Sequence, residues 1–158
     1  MKHLPMLALA AIALAGVAPA ARAQDQTVSI EVQAVSQLSF TGSPSLVIST
    51  ATAGSAPTSA TANATYAITT NETNRKITAQ LDQDAPTGVT LSANLAAPSG
   101  ATSAGATPLS STAQDVVTAV STVNASGLNL TYTLAASTAA GVVAPTSRTV
   151  TYTIIDGN

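Results

Sequence analysis

The sequence predicts an all-β fold: an antiparallel β-sandwich of Ig-like or Greek-key type with about eight short strands. Three observations predict it. Apolar and polar residues alternate with period two in segment after segment, and clusters of Pro and Gly fall between those segments. The chain also has no Cys, no Trp, one Phe and three Tyr. Val, Ile, Leu and Ala must therefore fill the core, which suits thin, closely packed sheets without covalent staples.

The chain opens on an export leader. Met1, Lys2 and His3 make a short basic start, residues 6–17 are almost wholly apolar, and Ala21-Arg22-Ala23 is a small-x-small cleavage site. Cleavage before Gln24 removes residues 1–23, a signal peptide. Its apolar run falls short of the roughly 20 residues needed to cross a bilayer. No cysteine stands near the cleavage site to carry a lipid anchor. Residues 24–158 are read as one β-sandwich domain, exported to the extracellular space, the cell surface or the periplasm, with no membrane span.

The strands follow in order. Val28, Ile30, Val32 and Ala34 alternate with Ser29, Glu31 and Gln33, giving a strand over residues 27–35. Shorter candidates occupy residues 45–50, 65–70 and 115–120. Clear alternation marks Ile77-Ala79-Leu81, Val89-Leu91-Ala93-Leu95 and Leu128-Leu130-Tyr132-Leu134. The last strand sets Val150, Tyr152 and Ile154 against Thr149, Thr151 and Thr153. Residues 51–62 and 99–111 are almost entirely Ala, Ser, Thr, Gly and Pro, which bury little area per residue. They are expected to be loops at the ends of one sandwich.

Composition excludes most chemistry. The only histidine, His3, leaves with the leader, so a serine nucleophile has no imidazole base. Lys76 follows Arg75 at a strand start, where a charge discourages edge pairing more readily than it catalyses. Glycosidase-type carboxylates could be drawn from Glu31, Glu72, Asp82 and Asp84, but without Trp and with so few aromatics a sugar cleft has little to stack against. No enzyme activity and no cofactor is expected. Asp82-Gln83-Asp84 is the one local acidic cluster, and Glu72 joins it as a weak metal candidate for a hard cation; a polar turn explains the cluster without metal. Four Asn-x-Ser/Thr matches, at Asn63, Asn71, Asn124 and Asn129, arise readily in a chain so rich in Ser and Thr. Seven acids face three bases after the leader (Arg75, Lys76 and Arg148), too few cations to neutralise a phosphate backbone, so no nucleic-acid partner is expected.

The leader, the alternating segment directly after it and the terminal alternating strand at residues 148–155 together give the chain a resemblance. It resembles secreted bacterial β-sandwich surface and fibre subunits. It lacks the cysteine pair common in the chaperone–usher pilins. The resemblance implies a structural role, with subunits sometimes joined by a strand donated from a neighbour. Edge physics points the same way: residues 149–155 contain no Lys, no Pro and no charge to blunt an edge. The assembly strands are then Val28, Ile30 and Val32 as donor and Val150, Tyr152 and Ile154 as acceptor. The expected partner is a second copy of the chain, in a homo-oligomer or fibre, or another surface protein. The alternative is a self-contained monomeric adhesive or ligand-binding surface module in which residues 27–35 close their own sandwich.

Overall fold

The computed structural model describes residues 22–157, so most of the expected leader lies outside the described residues. The chain divides into two units, one ending at Val32 and one beginning at Gln33. Within the first, residues 22–32 form no helix or strand. Val28, Ile30 and Val32 are 70%, 86% and 82% exposed.

The second unit is all-β. Nine strands run in chain order: β1 Ser36–Thr41, β2 Ala60–Thr70, β3 Arg75–Leu81, β4 Val89–Leu95, β5 Thr102–Ser103, β6 Thr107–Pro108, β7 Gln114–Val120, β8 Val123–Ala136 and β9 Val150–Asp156. One 3₁₀ turn, Thr138–Ala140, follows β8. The strands form two antiparallel sheets, ordered β1-β2-β8-β4-β6 and β5-β7-β3-β9. From β2 onward every connection crosses from one sheet to the other. Apart from β1 and β2, neighbours within a sheet are consequently never consecutive strands of the chain.

The two sheets bury one common cluster. Tyr66 and Ile68 of β2, Ile77, Ala79 and Leu81 of β3, Ala93 and Leu95 of β4, Val116, Val117 and Val120 of β7, and Leu130 and Tyr132 of β8 all belong to it. Burying a side chain such as Ile77 or Leu130 stabilises the fold by about 1.5–3 kcal/mol. Alternation is what allows this: each strand sends every second side chain to the same face. It fails in β7, where adjacent Val116 and Val117 are both buried. There the β3–β7 register slips twice, and Ala119 takes a left-handed φ of 58°.

Three expected elements need correction. The strand over residues 27–35 is absent, and the sheet starts instead at Ser36. Side-chain periodicity continues through that boundary, because residues 28, 30, 32 and 34 share a parity with Ser36, Leu38 and Phe40. What ends is the pairing with β2. Asn71 closes the β1–β2 ladder by donating its backbone N–H to Val35 C=O (3.1 Å). Its side chain takes the next bonds, accepting from Val35 N–H (2.7 Å) and donating to Gln33 C=O (2.8 Å). Past Asn71 the chain turns into β3.

Residues 45–50 also form no strand. Conversely, residues 99–111, expected to be a loop, hold β5 and β6 and bond to both sheets. Within this segment Leu109 N–H donates to Leu91 C=O of β4 (2.8 Å), and Ala104 N–H donates to Val116 C=O of β7 (3.0 Å). Ser110 C=O accepts from Leu81 N–H of β3 (2.8 Å).

Candidate functional site

Each sheet has one short edge and one long edge. β5 and β6 are two residues each, while β1 has six and β9 seven. A two-residue strand offers little backbone to an intruder; a seven-residue one is a template. β9 pairs with β3 from Val150 opposite Leu81 to Asp156 opposite Arg75, and among the described residues no strand lies on its other side.

The two long edges meet through aromatic rings. Phe40 of β1 stacks on Tyr152 of β9 with centroids 4.3 Å apart, and on Tyr66 of β2 at 5.8 Å. Tyr152 donates its hydroxyl to the Tyr132 hydroxyl of β8 (2.8 Å), and Tyr66 donates to Ala96 C=O (2.5 Å). Every Phe and Tyr of the chain is thus in one connected cluster. Burial pushes the Tyr66 phenol up to about 12. It also raises Tyr132, against a smaller opposing effect of the hydrogen bond from Tyr152. Tyr152 is raised too, first by burial and then by its bond to Tyr132.

Beside this cluster lies a groove of about 1200 Å³. Leu38, Leu91, Leu134 and Val150 contribute apolar walls, and residues 44–51 and 140–148 are among the rest of its lining. Val150, Tyr152 and Ile154, the expected acceptor residues, are half-buried and pack against the core, with Thr151 and Thr153 exposed between them. Val28, Ile30 and Val32, the expected donor residues, belong to the other unit.

The carboxylates do not converge. Glu72 precedes β3 and Asp82 and Asp84 follow it, so a seven-residue strand, roughly 20 Å of extended chain, separates them. Each has local work. Glu72 accepts from Ser36 Oγ (2.6 Å) and pairs with Arg75 at 3.5 Å, while Arg75 also pairs with Asp156. Asp82 accepts from the backbone N–H groups of Gln83 (3.0 Å) and Thr149 (3.1 Å), tying β3 to the start of β9. Asp84 accepts from Ser111 N–H (2.6 Å), and this bond holds its carboxyl below the usual range. Lys76 pairs with Asp115 at 3.2 Å.

The sequence reading did not single out β1 or its Phe40. The signal was present in the even-numbered apolar parity from Val28 to Phe40, interrupted only at Ser36. A run of that length exceeds a typical strand of 5–6 residues, so it holds two strands' worth of pattern. The structure uses only the second half. Comparison with protein families, curated proteins and solved structures finds no match, so function rests on this chain's own geometry.

Proposed function

We propose that this chain is a secreted structural β-sandwich subunit that assembles at a cell surface or in a fibre by strand addition. Residues 27–35 of one copy add to the long edge of the next. The single observation that carries the reading is the divided pattern of residues 28–40. The half in β1 has β2 as its partner, whereas Val28, Ile30 and Val32 repeat the same apolar alternation in no strand and face solvent. Ordinary domains seldom leave such a segment unburied. The β9 edge supplies what it would need: seven residues without Lys or Pro, and charge only at terminal Asp156.

The sandwich itself is part of the proposal. One buried cluster shared by two sheets, with connections crossing between them, supports a two-layer Greek-key arrangement of Ig-like type. The function is non-enzymatic: the described residues contain no His or Cys, and Lys76 is engaged by Asp115. A second reading, a monomeric adhesive or ligand-binding module, is favoured by the apolar groove, which is large enough for a small ligand. Negative-stain microscopy with size analysis of the purified exported protein separates the two. Fibres or ladders are expected. A monodisperse monomer at high concentration would overturn assembly and leave the binding module.

A further inference from the structure

We propose that residues 45–50 are a placeholder: they line the groove beside β1 and β9 in the isolated chain, and residues 27–35 of a second copy displace them. This rests on the strand-addition reading and adds where the incoming segment seats and what must leave.

The placeholder has the side-chain pattern of a strand and none of its bonds. Leu46 packs against the buried cluster and Ile48 lines the groove, while Ser45, Val47 and Ser49 are exposed. That is period two, the requirement of a sheet-lining segment. Yet among the described residues no hydrogen bond is made by residues 43–49. Their backbone groups join no ladder, although among the described residues no strand lies beyond β9. The segment contributes apolar cover without ladder bonds.

Its ends are built to stay while the middle moves. At one end Gly42 takes a φ of 115°, a turn that a side chain would strain, with Ala64 Cβ 3.3 Å from the position of an added Cβ. At the other, Thr58 N–H donates to Thr50 C=O (2.8 Å) and Ala51 bridges Pro57, closing a small hairpin. Between these anchors the strap is held by side-chain packing alone.

The occupant is chosen by pattern. Residues 27–35 carry Val28, Ile30 and Val32 at the same spacing of two as Leu46 and Ile48, with three β-branched side chains against one. Entering the groove, they replace the cover that the strap provides and add ladder bonds to β9 that the strap does not make. The exchange therefore runs toward the donor. In the isolated chain the strap keeps apolar surface from water, which delays association until a donor segment arrives.

The test uses the full chain and a fluorescent peptide of residues 24–35. A double variant, Leu46→Ser with Ile48→Ser, loosens the strap, and Thr69→Ser, at an exposed position of β2 that does not line the groove, is the control. If the strap competes for the groove, the double variant binds peptide about tenfold more tightly, because affinity scales with the fraction of molecules whose groove is open. Thr69→Ser should match the unaltered chain. Because the chain has no cysteine, Ile48→Cys introduces a single conservative reporter, and its thiol should label several-fold faster when unlabelled peptide is added. Peptide binding with unchanged affinity in the double variant and unchanged thiol labelling would overturn the placeholder and leave simple addition at the β9 edge. No peptide binding to any of these proteins would overturn strand addition itself, and the placeholder with it.

Discussion

The side of the molecule bearing β5 and β6 and the side bearing β1 and β9 solve the same problem in opposite ways. On the first, residues 99–111 are compositionally poor in large apolar groups, yet they bond to β3, β4 and β7, and Leu109 is only 6% exposed. Ser103 adds a bond from its hydroxyl to Leu95 C=O (2.6 Å), joining β5 to the strand of the other sheet. On the second side, residues 45–50 have the better strand sequence and residues 142–143 are both Val, but neither stretch joins a ladder. Val142 is fully exposed. The lesson is that a segment becomes a strand when an edge with matching backbone groups is within reach. Its own propensity is secondary.

The comparison can be broken or sharpened by mutation. The largest effect should come from the cluster that both sides share. Leu130→Asp places an unpaired charge among fully buried residues and should cost about 3–5 kcal/mol, enough to abolish recovery of folded protein. Thr151→Asp, on the exposed face of β9, should change stability by less than about 1 kcal/mol. Urea midpoints of the two variants check this, and similar damage from both would mean that β9 is covered on both faces.

Next in size is the contrast between the sides themselves. Leu109→Ala opens a cavity on the bonded side and should cost about 2–4 kcal/mol. Val47→Ala, on the open side with its side chain 72% exposed, should fall within about 0.5 kcal/mol of the parent. Equal losses in thermal unfolding would show that the open side is as firmly packed as the other, and the distinction would collapse.

The smaller effect lies in the aromatic cluster. Tyr66, Tyr132 and Tyr152 all hold their protons above the ordinary tyrosine range. An unfolded chain ionises these phenols near pH 10, before the folded chain does, so unfolding releases protons above that point. Stability should therefore be fully present below about pH 10 and be lost as pH rises from there toward 12 and beyond. Tyr152→Phe removes the donor to Tyr132 and keeps the ring against Phe40. It should cost about 1 kcal/mol at neutral pH and make the alkaline loss shallower, since one titrating group is gone. Melting temperatures from pH 7 to 11 read both effects, and an unchanged alkaline slope in the variant would place the loss elsewhere.

Much of the molecule was legible beforehand, for a reason visible in particular residues. In β4, β8 and β9 the expected inward residues, such as Leu95, Leu130 and Tyr152, do face the cluster. Burial on one face demands a period of two and little else. β7 was found only as a short candidate, and its paired Val116 and Val117 gave no clean alternation because bulges relax the period there. Of the weak metal candidates, Asp82 and Asp84 share the turn after β3, and Glu72 lies before that strand. Glu72 and Asp84 are near in sequence, but a straight strand between two points keeps them apart.

The sequence by itself determined that this is an antiparallel all-β chain, where most strands lie and which side chains they turn inward. Those properties depend on local alternation and on turn residues that act within a few positions. Only the tertiary structure decided which alternating segments joined a sheet. Residues 28–34 and 45–50 carry patterns as good as that of Leu38 and Phe40, but Asn71 ends the ladder that β1 uses, and no ladder reaches residues 45–50. Hydrogen-bond pairing joins residues far apart in the chain, so no single segment contains the information about whether its partner will be there.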